Sequence, residues 1–171
     1  MMKRGIHYEQ AFQHFLKDRN VNFIVIDQAK KASFAGAKIK SFDLIAYPPK
    51  GLPLLIDVKG RKLASARIEK YHLGQNWVGI EDVNGLRQWE QVFGPDYTGL
   101  FVFAYWIYDA TPGLTGNGFY HYNERTYFFV SAELFGYQSR MKTRSQKWRT
   151  VFVPAGPFKE LALPVETFFP I

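Results

Sequence analysis

Two charged residues lie inside an apolar segment of strand length. Residues 54–59 read Leu-Leu-Ile-Asp-Val-Lys, and only Asp57 and Lys59 are charged. Because side chains alternate along a strand, this pattern predicts that Asp57 and Lys59 share one face while Ile56 and Val58 occupy the other. A buried charge needs a partner, so the face with the two charges must open either to solvent or to a polar site.

Asp43 is a second candidate for the same site. It occurs in the apolar segment 39–47, which a short proline-containing turn connects to residues 54–59. The short connection predicts a hairpin that brings the carboxylates of Asp43 and Asp57 together, where they repel unless a cation lies between them. Mg²⁺ prefers oxygen ligands and shares its coordination sphere with substrate phosphates. We therefore expect Mg²⁺ here, with Mn²⁺ as the alternative, and a metal-bound water that attacks a phosphodiester.

The elements before these strands must position them. Residues 6–20 have apolar side chains at helical spacing, which predicts an amphipathic helix with Glu9 on the border of its apolar stripe. Residues 21–27 form a β-branched run that predicts a first strand. The segment that follows is basic and lacks clean periodicity, which predicts an excursion over the surface; its lysines are Lys30, Lys31, Lys38 and Lys40.

The remaining segments complete a prediction of one domain over residues 1–171. Residues 60–79 are polar and mixed, which predicts a loop or flap. Residues 81–93 predict a second helix that ends at Gly94-Pro95, and residues 99–108 predict a central strand covered on both faces. The fold class is therefore α/β (α+β), with a mixed central sheet flanked by helices. Residues 1–110 form its core, and a C-terminal β-rich extension over residues 111–171 packs on it, with strands at 119–122, 126–130 and 151–153.

These residues and this order of elements resemble the PD-(D/E)XK nuclease superfamily, the restriction-endonuclease-like group with an αβββαβ core. Its motif is an aspartate, a variable gap, then an acidic residue, any residue and lysine, matching Asp43 and Asp57-Val58-Lys59. Many members add a glutamate on the first helix, matching Glu9. The spacing is most similar to the archaeal Holliday-junction resolvase branch, over residues 6–108. Phe42 stands where the superfamily's proline would be, and Asp57 stands where glutamate is commoner.

The resemblance implies a role for each motif residue. It implies that Asp43 and Asp57 bind Mg²⁺, that Glu9 is a fourth member of the site, and that the Val58 carbonyl is a further ligand. Lys59 would orient or activate water and stabilise developing phosphate charge. A homodimer is also implied.

Composition favours a nucleic-acid partner. The chain of 171 residues has a formal charge of +7, and lysine or arginine side chains that displace counterions favour a polyanion. DNA is preferred over RNA here. Candidate phosphate-binding residues lie beside the motif and in the acid-free C-terminal run: Lys38, Lys40, Arg61, Lys62, Arg140, Lys142, Arg144 and Lys147.

Several classes of protein are disfavoured. The absence of cysteine excludes disulfides and thiolate chemistry. No apolar run reaches the roughly 20 residues of a membrane span, and no signal-like apolar segment follows the N-terminus, so we expect a cytoplasmic protein without a membrane partner. Two alternatives to a nuclease stay open. One is a catalytically inactive nucleic-acid-binding module on the same fold, and the other is a protein-interaction domain built on the aromatic-rich strands.

Overall fold

The structure, a computed structural model, describes residues 5–26, 32–34, 37–69 and 73–170. The helices are α1 (Ile6–Asp18), α2 (Ser65–Glu69), α3 (Ile80–Phe93), α4 (Leu134–Arg140) and α5 (Ala155–Leu161). The strands are β1 (Asn22–Val25), β2 (Ala32–Phe34), β3 (Ala37–Ile39), β4 (Leu44–Tyr47), β5 (Leu54–Leu63), β6 (Val78–Gly79), β7 (Thr98–Ile107), β8 (Phe119–Tyr122), β9 (Arg125–Glu133), β10 (Lys142–Ser145), β11 (Thr150–Phe152) and β12 (Leu163–Pro164). Among these helices, none is long and apolar enough to cross a membrane.

The main sheet is mixed and has seven strands. Its order is β1-β4-β5-β7-β9-β12, with β8 paired to β9. The predicted hairpin of β4 and β5 is antiparallel, whereas β5 and β7 run parallel and pair over ten residues. Strand β7 lies in the centre and is buried on both faces, as its unbroken apolar sequence predicts. The predicted α/β (α+β) class, a mixed sheet flanked by helices, is confirmed.

Helices cover both faces of this sheet. On one face, α1 packs Phe12 and Phe15 against a core that includes Ile56 and Val102. On the other face, α3 packs Leu86 against a core that includes Phe101 and Phe103. Full burial of one such phenylalanine stabilises the fold by about 1.5–3 kcal/mol. The two cores fix the positions of α1 and α3 relative to β5.

Strand β5 continues beyond the predicted strand end. The sequence predicts a loop from residue 60, but pairing with β7 carries β5 on to Leu63, and α2 follows. Gly60 permits α1 to pack closely here, since an added Cβ would clash with the ring of Tyr8. The prediction of a loop over residues 60–79 is wrong for residues 60–63, for α2 and for β6. At residues 60–63 the strand is set by backbone pairing with a distant segment, which the polar sequence does not indicate.

Two other boundaries differ from the predictions. Strand β4 begins at Leu44, so Asp43 lies immediately before this strand and not within it. The basic segment after β1 includes an antiparallel hairpin of β2 and β3, where the sequence predicts an irregular excursion. Lys30 and Lys31 lie outside the described residues.

The C-terminal part of the chain contributes to two sheets. Strands β8, β9 and β12 belong to the main sheet, and β9 pairs with β7. Strands β10 and β11 form a hairpin that joins β6 in a three-stranded sheet. Since β6 leads directly into α3, this small sheet lies beside the start of that helix.

Candidate active site

Asp43 and Asp57 lie where one edge of β5 opens. Along β5, only the start of the strand pairs with β4, and this pairing ends where Leu44 faces Ile56. The Asp43 N–H donates to the Ile56 carbonyl at 3.0 Å. Beyond this point the Asp43 carboxylate replaces a strand partner, because its Oδ2 accepts the Val58 N–H at 2.6 Å. Both aspartates are buried, at 6% and 7% exposure, so the edge supports a carboxylate pair largely removed from water.

Burial dominates the electrostatics of this pair. It raises the pKa of Asp57 to about 8; Lys59 opposes the shift, and the neighbouring carboxylates of Asp43 and Asp82 add to it. Burial also raises the pKa of Asp43, which shares a hydrogen bond with Asp57 and feels the charge of Glu9. Two carboxyl groups in this setting ionise together only if further positive charge is supplied.

Glu9 reaches the same edge from α1. Its side chain is half-buried, and burial together with the charge of Asp57 raises its pKa. It also shares a side-chain hydrogen bond with Asp43, and Lys59 opposes the pKa shift. The structure therefore brings Glu9, Asp43 and Asp57 together. We call these three acids, with Lys59 and Asp82, the carboxylate site.

Lys59 lies between two acids. Its Nζ is 3.1 Å from Oδ2 of Asp57 and 2.9 Å from Oδ2 of Asp82. Burial alone would lower the pKa of Lys59, but the two carboxylates raise it above the ordinary value. The ammonium is thus charged, largely buried and directed by acids on two different elements.

Asp82 is a further member of the site, and the sequence patterns do not predict it. It lies in the first turn of α3, where the sequence suggests only a favourable charge at a helix N-terminus. Its Oδ2 accepts the Gly79 N–H at 3.0 Å in addition to contacting Lys59, and its Oδ1 contacts Lys40. Although burial opposes this, Lys59 and the hydrogen bonds of the two lysines lower the pKa of Asp82. No local pattern in the sequence distinguishes this role from that of an ordinary helix-terminal acid.

The carboxylate oxygens fit a magnesium site of limited size. Among the described residues, no group of three or more acidic or imidazole side chains is arranged so that all could hold one ion. Mg²⁺ commonly takes only one or two carboxylates and keeps several waters. Asp43 and Asp57 supply such a pair of oxygen donors, and their mutual repulsion under burial is relieved by a cation.

The predicted phosphate-binding residues are distributed over several places. Lys40 contacts Asp82 but keeps 52% of its side chain exposed. Arg61 is folded onto the protein, donating to the Gly60 carbonyl at 2.8 Å and to the Trp77 carbonyl. Lys62 points to the other face of β5, with its Nζ 4.8 Å from the ring centroid of Tyr108.

The C-terminal cations are exposed. Arg140 donates to the Gly136 carbonyl at 3.1 Å on α4. Lys142, Arg144 and Lys147 lie on the hairpin of β10 and β11. The side chain of Lys38 lies outside the described part of the chain. Of the eight predicted cations, the structure therefore places Lys40 directly against the carboxylate site and Arg61 two residues beyond Lys59 on the same strand face.

The fold is similar to that of a solved nuclease structure. The Holliday junction resolvase of the archaeal hyperthermophile Archaeoglobus fulgidus superposes with a TM-score of 0.53 at 12% sequence identity. The match covers 96% of this chain and 98% of that chain. No family model and no curated protein matches the sequence. At this level of identity the likeness shows a common fold.

Proposed function

We propose that this protein is a magnesium-dependent nuclease that hydrolyses phosphodiester bonds in DNA. The observation that carries the proposal is Lys59, held between Asp57 and Asp82 beside a second buried strand carboxylate, Asp43, on a resolvase-like fold. Buried charges of this kind are costly to the fold and are characteristic of functional sites. The resemblance of the motif to PD-(D/E)XK nucleases points to the same chemistry.

Each residue of the carboxylate site has a distinct task in this proposal. Asp43 and Asp57 would hold Mg²⁺, with the Val58 carbonyl as a further ligand and Glu9 as an additional acid. When bound, the ion supplies a Lewis acid for the phosphoryl oxygen and lowers the pKa of a coordinated water. Lys59 places its ammonium where a phosphate gains negative charge, and Asp82 fixes the position of that ammonium.

Charge and the structural neighbour support DNA as the substrate. The net charge of +7 favours a polyanion, and the protein with the similar fold is described as a Holliday junction resolvase. The proposal extends to a homodimer, as the family resemblance implies, and to residence in the cytoplasm. Its nucleic-acid surface would comprise the exposed lysines and arginines near the site.

A cleavage assay tests the nuclease. Purified protein is incubated with labelled single-stranded, duplex and branched DNA, and with RNA, in Mg²⁺, in Mn²⁺ and with chelator. We expect cleavage of DNA that requires the metal and falls at least about a hundredfold in Asp57→Asn, because losing even an outer-shell partner of a metal ligand costs about 10- to 100-fold. Asp96→Asn, at an exposed aspartate, is the matched control. Cleavage that persists in chelator, or equal activity of Asp57→Asn, would refute the metal-dependent mechanism.

One observation favours an inactive binding module as the second candidate. The Asp43 carboxylate accepts the Val58 N–H, and Lys59 pairs with both Asp57 and Asp82, so these groups find partners within the fold. A binding module would bind DNA without cleaving it in any divalent ion, and Lys59→Ala would then leave its affinity intact. Cleavage that depends on Lys59 excludes this candidate.

A further inference from the structure

An ordered turn joins the two strands of the basic hairpin, which we define as residues 142–152. The Trp148 N–H donates to Oγ of Ser145 at 3.1 Å, and the Arg149 N–H donates to the Gln146 carbonyl at 3.3 Å. Arg149 has a φ of 53°, a left-handed conformation that is uncommon for residues other than glycine. The turn therefore has a defined backbone geometry.

Trp148 is directed to solvent at this turn. It is 71% exposed, although tryptophan is usually highly buried. The Nζ of Lys147 lies 5.2 Å from its ring centroid. The charged side chains of its own segment are of one sign, because residues 134–159 contain no aspartate or glutamate. The turn thus combines an open aromatic face with several exposed cations.

The basic hairpin borders the carboxylate site through two sets of contacts. Thr150 pairs with Gly79, whose N–H donates to Asp82, and the Ile80 N–H donates to the Arg149 carbonyl at 2.8 Å. In addition, the guanidinium of Arg144 lies 4.8 Å from the ring centroid of Trp77. The ring of Trp77 also carries Arg61 at 3.9 Å, and Arg61 follows Lys59 on the same face of β5.

We propose that Trp148 stacks on an unpaired nucleobase while Lys142, Arg144 and Lys147 bind the flanking phosphates. This inference rests on the proposed function and names its substrate class: a strand with an unpaired base near the scissile phosphate. Stacking on an aromatic side chain needs a base whose face is free, whereas a continuous duplex covers both faces of its internal bases and offers mainly phosphates. The exposed cations of residues 142–149, in a segment without acidic residues, complement a nucleic-acid backbone.

Binding measured in chelator tests this site apart from cleavage. The probes are a fluorescein-labelled oligothymidylate and a blunt duplex of equal length, followed by fluorescence anisotropy. The variants are Trp148→Ala and Trp148→Phe, with Phe135→Ala as the control, because Phe135 is 81% exposed on α4. We expect Trp148→Ala to bind the single strand about tenfold more weakly than wild type and to bind the duplex with nearly unchanged affinity. Trp148→Phe keeps a ring and should retain most of the affinity, and Phe135→Ala should match wild type.

Three results would overturn the inference. They are wild-type affinity of Trp148→Ala for the single strand, equal losses of this variant on both probes, and a loss in Trp148→Phe as large as that in Trp148→Ala. Binding of the wild type, but not of Trp148→Ala, to phosphatidylserine vesicles, with DNA affinity unchanged, would assign the hairpin to membranes and overturn it as well.

The same preparations separate this inference from the nuclease proposal. If Asp57→Asn abolishes cleavage while Trp148→Ala binds like wild type, only the hairpin inference fails. If the wild type cleaves nothing but Trp148→Ala loses single-strand affinity, the nuclease proposal fails and the stacking of Trp148 on an unpaired base stands.

Discussion

The carboxylate site and the basic hairpin place charge in opposite ways. In the carboxylate site, one ammonium lies within 3.1 Å of two buried acids, so each charge depends on a few partners that are largely removed from water. In the basic hairpin the cations are exposed, and solvent and salt screen each of them. Stability and catalysis should therefore change strongly when a single charged group of the carboxylate site is removed. The affinity of the basic hairpin for DNA should depend on how many of its cations are present.

The largest expected effect is on stability. It is measured by comparing variants of Lys59 and Lys40, the two lysines that contact Asp82. We expect Lys59→Met to lower the free energy of unfolding by about 3 kcal/mol, because it leaves buried carboxylates without their cation. Lys40→Met removes the other lysine of Asp82, whose side chain is 52% exposed, and should cost no more than about 1 kcal/mol. Urea denaturation of both variants checks the difference, with unchanged m-values as the sign that only stability has changed.

Equal destabilisation by Lys59→Met and Lys40→Met would contradict this difference between the buried and the exposed lysine. Burial would then have no special weight at Lys59, and the carboxylate site would behave like a surface ion pair. If Lys59→Met instead stabilised the protein, protonation rather than a cation would be what removes the charges of Asp57 and Asp82.

A smaller effect is expected on catalysis from Asp82→Asn. Asp82 acts through the ammonium of Lys59, so it is a positioning residue, and its loss should lower kcat by about 10- to 100-fold. The KM for DNA should stay nearly constant because Asp82 is buried at 7% exposure. Steady-state kinetics checks this split, and Asp82→Glu, which keeps the charge, should recover part of the rate. A rise in KM without a change in kcat would show that Asp82 serves DNA binding and not Lys59.

The sequence could predict the strand part of the carboxylate site because that part depends on local rules. Strand alternation alone puts Asp57 and Lys59 on one face, and the short turn before β5 predicts the hairpin that brings Asp43 to them. The sequence does not predict that Asp43 lies just before β4 and not within it. Phe42 and Leu44 are both buried but belong to different cores, so the alternation that predicts a strand fails at this point.

The parts of the site that the sequence does not predict depend on contacts between distant segments. Asp82 follows Lys59 by 23 positions, and its contact requires the start of α3 to pack over β5, which no local pattern states. The second example is Arg61. The polar sequence around Arg61 predicts a loop, whereas backbone pairing with β7 makes this residue part of β5. The same non-local pairing sets its guanidinium against Trp77.

The smallest effect per residue is expected for the cations of the basic hairpin. Their contribution to DNA binding is measured by the salt dependence of the affinity. Lys142→Ala, Arg144→Ala and Lys147→Ala should each change the free energy of unfolding by less than about 0.5 kcal/mol, since all three side chains are exposed. Combined, they should flatten the slope of log affinity for single-stranded DNA against log salt by about 0.7 for each phosphate that the variant no longer neutralises. Anisotropy titrations across a salt series measure this slope, with Lys159→Ala, on α5, as a control for the removal of one positive charge. If the triple variant keeps the wild-type slope, the hairpin is not part of the DNA-binding surface. If one substitution alone accounts for the change in slope, a single hairpin cation is as specifically placed as Lys59.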